Sequence, residues 1–299
     1  MREFLADLRS VLGLGALRRV GRKAWDDDCP GLAGQLAYFL LLTLFPFLML
    51  LVALAGLVVE DPESLLETLT ERMGAFLPED AVGLLVDYID RTLRSKSSGV
   101  LLFAVLLVLG SGSAASQTIV KAADRAYEVR EARPFWKMWV ISVLMILGFI
   151  LLVGALALAA FSPEVGGYVQ RLTGLPDISL ILWGVLRWVV SFLAVTLALD
   201  ILYYFAPNVD LPFKWITPGG FTATMLMLVS SAALSLYVTN VGRYDQVYGQ
   251  IGAVVVLMLW LYVVELTMLI GIEMNAVLAR MAEEKKGVEL VQTEDEAEI

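Results

Sequence analysis

The chain has 299 residues, of which 59% are hydrophobic, and a mean hydropathy of +0.75; a soluble domain is nearer about 45–50% apolar, and here the excess falls in uninterrupted runs of membrane-spanning length. A net charge of −9 leaves no basic footprint for a nucleic-acid partner. The absence of histidine removes the usual general base, transition-metal ligand and pH switch, and the single cysteine, Cys29, excludes an intramolecular disulfide.

The pattern predicts an all-α integral membrane protein with six transmembrane helices. Residues 1–30 form a basic arm. Phe4, Leu5, Leu8, Val11, Leu12 and Trp25 alternate with Arg9, Arg18, Arg19, Arg22 and Lys23, as in an amphipathic helix lying on an anionic leaflet. The apolar stretch Val11–Leu17 is too short for a signal peptide and runs into Arg18-Arg19, so the first span is expected to stay in the protein. Asp26-Asp27-Asp28 before Pro30 suits the start of a helix better than a metal site.

The membrane domain covers 31–280. Span one is 32–59, with Pro46 as a candidate kink. Residues 60–99 are hydrophilic with helical periodicity (Leu65, Leu66, Leu69, Met73, then Leu84, Leu85, Tyr88, Ile89), which predicts two short amphipathic helices as an extracytoplasmic cap between spans one and two. Span two is 100–120 and ends in a block of small residues, Gly110–Ser116, that lets helices approach closely. Spans three to six are 138–161, 178–205, 217–241 and 251–278, and an acidic tail, 281–299, is expected to lose order at its end.

Lys and Arg near the span ends set the orientation. The arm carries six, the 121–137 connector five and the C-terminal stretch 279–299 three, whereas the 60–99 segment has four against nine acids. Both termini are therefore expected in the cytoplasm and the cap outside.

Ionisable groups within the hydrocarbon are costly and face the interior or water. Arg187 in span four lies roughly 14 Å, and Glu265 in span six roughly 21 Å, from the outer ends of their spans. A long arginine can bridge that difference, so the two are a candidate buried pair. The pair serves either as a scaffold that fixes register or as part of a substrate or proton pathway. Asp200 and Glu273 each fall roughly 33 Å in, which makes them candidate acids wetted at the inner interface. Gln35, Thr43, Ser113, Gln117, Thr224, Ser231 and Ser235 either line a polar cavity or bond between helices. There is no Walker A loop, dinucleotide fingerprint, nucleophile elbow or HExxH, so no catalytic, cofactor or metal residue is assigned.

The stretches 37–46, 122–127 with 133–135, 203–208 with 218–220, 248–252, 259–262 and 271–276 carry motifs that, in this order, resemble the BrkB/YihY family of bacterial inner-membrane proteins. They are Ala37-Tyr38-Phe39-Leu40-Leu41-Leu42-Thr43-Leu44-Phe45-Pro46, Ala122–Tyr127 with Arg133-Pro134-Phe135, and Tyr203-Tyr204-Phe205-Ala206-Pro207-Asn208 with Pro218-Gly219-Gly220. Tyr248-Gly249-Gln250-Ile251-Gly252, Leu259-Trp260-Leu261-Tyr262 and Gly271-Ile272-Glu273-Met274-Asn275-Ala276 complete the set, while Tyr244-Asp245-Gln246-Val247 departs from a more basic version of that loop. The resemblance implies six spans in the bacterial cytoplasmic membrane and carries the labels ribonuclease BN, virulence factor and envelope-lipid export. A nuclease has no ligand cluster or basic groove here. The function expected is a transporter or flippase-like facilitator of a lipid or other amphiphile. A membrane scaffold with envelope-assembly partners or a homo-oligomer is the alternative, with membrane lipids as partners in either case.

Overall fold

The computed structural model describes residues 14–55, 82–83, 86–87, 98–161, 176–241 and 250–297. All its regular structure among the described residues is helical: α1 Leu14–Asp26, α2 Cys29–Ala55, α3 Ser98–Ala126, α4 Phe135–Phe161, α5 Pro176–Phe205, α6 Pro218–Val241 and α7 Gln250–Ala297. The expected cap at 60–99 lies outside the described residues apart from short helical pieces at 82–83 and 86–87.

Among the described residues five stretches are long and apolar enough to cross a membrane: Cys29–Leu48, Val105–Ala126, Trp188–Phe205, Pro218–Tyr237 and Val254–Glu284. The described apolar part of α4, Phe135–Phe149, is shorter. Large side chains point outward all around, among them Leu102, Phe103, Leu144, Val189 and Val229. No water-soluble monomer presents so broad an apolar surface, and lipid is its natural solvent.

The helix ends follow from local chemistry. Asp28 takes a left-handed backbone (φ 59°) in the turn after α1, and its carboxylate accepts the Gly31 N–H at 3.3 Å, capping α2. This is the helix-start role expected of the acidic run. Pro46 lies inside α2, and the helix continues through it. Thr217 is the N-cap of α6: its hydroxyl accepts the Gly220 N–H at 3.1 Å, and Pro218 occupies the first helical position, where a missing donor costs nothing.

Helix α7 is the spine. It packs against α1, α2, α3 and α6, while α4 and α5 close the ring from α3 round to α6. The main core joins Ala33 and Leu36 of α2, Ala122 and Ala126 of α3, Leu199 and Tyr203 of α5, Ala223 of α6 and Leu269 and Ile272 of α7. Small residues recur because the backbones pass close together.

One segment differs from expectation. The apolar stripe of α1 meets protein: Val20 is buried on Met274 and Val277 of α7. Leu17 and Trp25 remain exposed, so only part of the amphipathic helix is left to face lipid. Helix α7 runs to Ala297, and the last residues of the tail, 298–299, lie outside the described residues.

Candidate functional site

The polar residues gather where the C-terminal part of α5, the start of α6 and the middle of α7 meet. Asp200 is 2% exposed. Its carboxylate accepts the Thr217 N–H at 3.0 Å and also the Thr217 hydroxyl. Asn275 of α7 donates through Nδ2 to the Thr217 hydroxyl oxygen (2.9 Å), while its Oδ1 accepts the Gly219 N–H (2.8 Å). The first amides of α6 are thus satisfied by side chains from two other helices. Glycine is required at 219, 220 and 271: a Cβ at 219 would strike the Gly271 carbonyl and the Asn275 amide, and one at 220 would strike Asp200.

Above this layer, Thr196 of α5 and Thr224 of α6 share a hydroxyl–hydroxyl hydrogen bond of 3.0 Å. The Tyr203 hydroxyl donates to the Met268 carbonyl at 2.7 Å, which ties α5 to α7. Three turns further up α7 from Asn275 lies Glu265, 7% exposed, with an Oε2 that has no hydrogen-bond partner among the described residues. Buried carboxyls are normally satisfied, so an orphaned oxygen marks a place of unfinished chemistry.

On the opposite face of α7, Glu273 is 1% exposed. Its Oε1 accepts the Cys29 thiol at 3.7 Å, and its carboxyl is in hydrogen-bond contact with the Asp27 carboxyl of the α1–α2 turn. Asp200 and Glu273, expected as acids wetted at the inner interface, are therefore enclosed by protein. The Ala206–Thr217 connector covers the first, and the α1–α2 turn covers the second.

The proposed polar lining does not converge. Thr43 hydrogen-bonds Ser111 across α2 and α3 at 2.7 Å, not Ser113. Ser231 accepts the Trp260 indole N–H at 3.2 Å, and Thr224 belongs to the Thr196 pair. Gln35, Gln117 and Ser235 are exposed, and Gln117 borders an open groove of about 300 Å³ with Lys121, Asp124 and Glu131. These are separate contacts between helices, as membrane bundles use generally. The side chain of Arg187 lies outside the described residues, and with it the Arg187–Glu265 pair.

Residues of the quoted motifs, to which no role was given there, hold the connectors. Arg133 donates to the Phe205 (3.2 Å) and Ala206 (2.8 Å) carbonyls at the end of α5 and grips Glu131 through Nε and Nη2. That contact holds the Glu131 carboxyl below its usual range. Asp124 accepts the Asn208 N–H at 2.7 Å. A second open groove, about 550 Å³, lies beside Arg133, Tyr204, Asn208 and Asp210. Tyr127 is pushed up to about 12 by burial and by Glu273, so it stays protonated. Among the described residues no group of three or more acids or cysteines is placed to hold a metal.

Long apolar helices around a buried, carboxyl-bearing seam define a multi-pass helical membrane protein. A family model described as virulence factor BrkB matches residues 20–294, and the chain belongs to that family. It is 31% identical to the ribonuclease-like protein YfkH of Bacillus subtilis over 82% of this chain and 88% of that one. It is 27% identical to a UPF0761 membrane protein of Vibrio vulnificus over 95% and 89%. A UPF0761 membrane protein of Alkalilimnicola ehrlichii, 26% identical over 85% of this chain, is longer, and the match spans 56% of it. No solved structure matches.

Proposed function

We propose that the chain moves a lipid or other amphiphilic envelope compound across the bacterial cytoplasmic membrane, with six spans, both termini inside and residues 60–99 outside. The observation that carries the reading is the buried Glu265 carboxyl with an unsatisfied oxygen. A group that costly in a membrane persists where it meets a passing polar headgroup or a proton.

Arg187 is the proposed counter-charge. Asp200 and Asn275 meet at one level through Thr217. From that level Arg187 is about 20 Å up α5 and Glu265 about 15 Å up α7, a difference that an arginine side chain spans. As a sixth span, α4 has 27 residues, about 40 Å of helix. The test is translocation of a fluorescent phospholipid in vesicles reconstituted with the purified protein. Glu265→Gln and Arg187→Ala are expected to abolish it while the folded protein still accumulates. Wild-type rates in both variants would end this reading.

A scaffold without substrate is the second reading, favoured by the tight α6–α7 crossing at Gly219 and Gly271. It expects stoichiometric partners in a mild-detergent pull-down, and loss of function in Arg187→Ala only where the protein is lost.

A further inference from the structure

We infer that the ion cluster joining α1, α3 and α7 is a cytoplasmic gate over Glu273, closed in this structure and held shut by Glu128. The inference deepens the carrier reading and rests on it only for what passes through.

The end of α3 is built as a helix-terminating turn that ordinarily uses glycine. The Val129 N–H bonds the Asp124 carbonyl at 2.9 Å and the Glu128 N–H bonds the Arg125 carbonyl at 3.0 Å. This pairing is the Schellman pattern, in which the residue at the left-handed position has no use for a Cβ. Here that residue is Glu128, with φ 57°. A strained backbone persists only where its surroundings hold it.

What holds it is one carboxylate oxygen. Glu128 Oε1 receives Lys23 Nζ of α1 at 2.8 Å and Arg280 Nη1 of α7 at 2.7 Å. Arg280 Nη2 also donates to the Ala126 carbonyl at 2.8 Å, and Lys23 pairs with Asp27 at 3.1 Å. These contacts hold the Glu128 carboxyl below its usual range, through Lys23 first and Arg280 second. The Glu128 side chain is nevertheless 61% exposed, so salt reaches it.

Beneath the clasp lie Cys29, 2% exposed, and Glu273, 1% exposed, whose carboxyl meets that of Asp27. The turn between α1 and α2 contains the other left-handed residue, Asp28. Releasing Glu128 frees α1 to pivot there. The opening relieves backbone strain, brings water to the Glu273 and Asp27 carboxyls, and costs the ion pairs, the Arg125 bond to the Asp27 carbonyl (3.3 Å) and the Val20 packing. Opposed terms on the two sides are what a two-state element needs.

Cys29 is the chain's single thiol, so it reports the opening without any transported substrate. The experiment is the rate of N-ethylmaleimide alkylation of the full-length protein in nanodiscs. Slow labelling is expected for the wild type in dilute buffer, with a rise of about tenfold or more at about 1 M NaCl as the clasp is screened. Glu128→Gly is expected to give the same rise in dilute buffer, with a Tm close to that of the wild type because relief of the turn offsets most of the lost ion pairs. A reporter one turn deeper, Ala33→Cys in a Cys29→Ser background, stays protected in both conditions. Unchanged Cys29 labelling in Glu128→Gly and in salt overturns the gate. So does equal acceleration of the deeper reporter, which means general loosening. Vesicle transport can fail while this labelling pattern holds, so loss of the carrier reading and loss of the gate are separate results.

Discussion

Gly271→Ala tests whether the α6–α7 crossing is set by atom-to-atom contact. A Cβ at 271 would lie 2.8 Å from the Ala223 Cβ and 2.9 Å from the Gly219 carbonyl oxygen, and nearer still to the Tyr203 hydroxyl. Carbon atoms prefer about 3.5–4.0 Å, so the helices must part by up to about 1 Å. Overpacking of this kind costs about 1–3 kcal/mol. Displacing the Tyr203 hydroxyl from the Met268 carbonyl adds about 1 kcal/mol, and stretching the Asn275 cap on Gly219 adds up to about 1 kcal/mol. The expected loss is about 3 kcal/mol, read by equilibrium unfolding in mixed detergent micelles. Gly34→Ala is the control, since a Cβ there meets nothing within 4 Å; it is expected to be neutral or stabilising by up to about 1 kcal/mol. Tyr203→Phe removes one of the three obstacles, so combined with Gly271→Ala it is expected to recover about 1 kcal/mol of coupling. Equal stability of the two glycine variants, or strict additivity with Tyr203→Phe, refutes the contact argument.

Asp200→Ala leaves the Thr217 N–H without its acceptor and is expected to cost about 2–3 kcal/mol, against a smaller loss in Asp200→Asn, both measured by the same unfolding assay. Arg133→Lys keeps the charge but gives up the fork on Glu131 and one of the two carbonyl contacts at the end of α5; about 1–2 kcal/mol is expected. For pH, Glu128 and Glu131 titrate below the ordinary 4.5, so their contribution is present above 4.5 and is lost as pH falls through the lowered values. Burial opposes the charge on Lys23, but its hydrogen bonds to Glu128 and Asp27 outweigh that and raise it above 10.5. Its contribution is thus present below 10.5 and lost as pH rises through the raised value. The clasp's share of Tm is therefore expected to be flat from 4.5 to 10.5, and a midpoint of clasp loss near neutrality in a wild-type-minus-Glu128→Gly comparison contradicts the assignment.

The helices were legible because a bilayer demands about 20 apolar residues in a row, and few other environments do. The start of α6 was equally open to reading: Thr217, Pro218 and two glycines are the residue types that begin a helix and admit close neighbours. What takes each apolar stripe was not legible. Ala16, Val20 and Ala24 suit a lipid surface or a protein groove alike, and only the three-dimensional placement of α7 chooses between them. Glu128 resembled one more solvated charge in a connector, since nothing in one dimension reveals a left-handed backbone at a non-glycine residue.

The depth arithmetic for Asp200 and Glu273 failed for an instructive reason. It counted residues from the ends of apolar runs and took the last turn to be wet. Yet the Ala206–Thr217 connector folds back over Asp200, offering Thr217 as its partner, and α1 with its turn lies over Glu273. The protein itself extends the dry layer beyond the apolar runs. The buried carboxyls of α7 then form an order with depth: Glu273 beneath a salt-sensitive clasp, and Glu265 two turns further into the membrane with no partner for one oxygen. A bundle selected only for stability would gain by replacing both with apolar residues. Two costly acids at successive depths, the outer one covered by α1, are an arrangement that fits the proposed carrier, with polar cargo or protons entering from the α1 end.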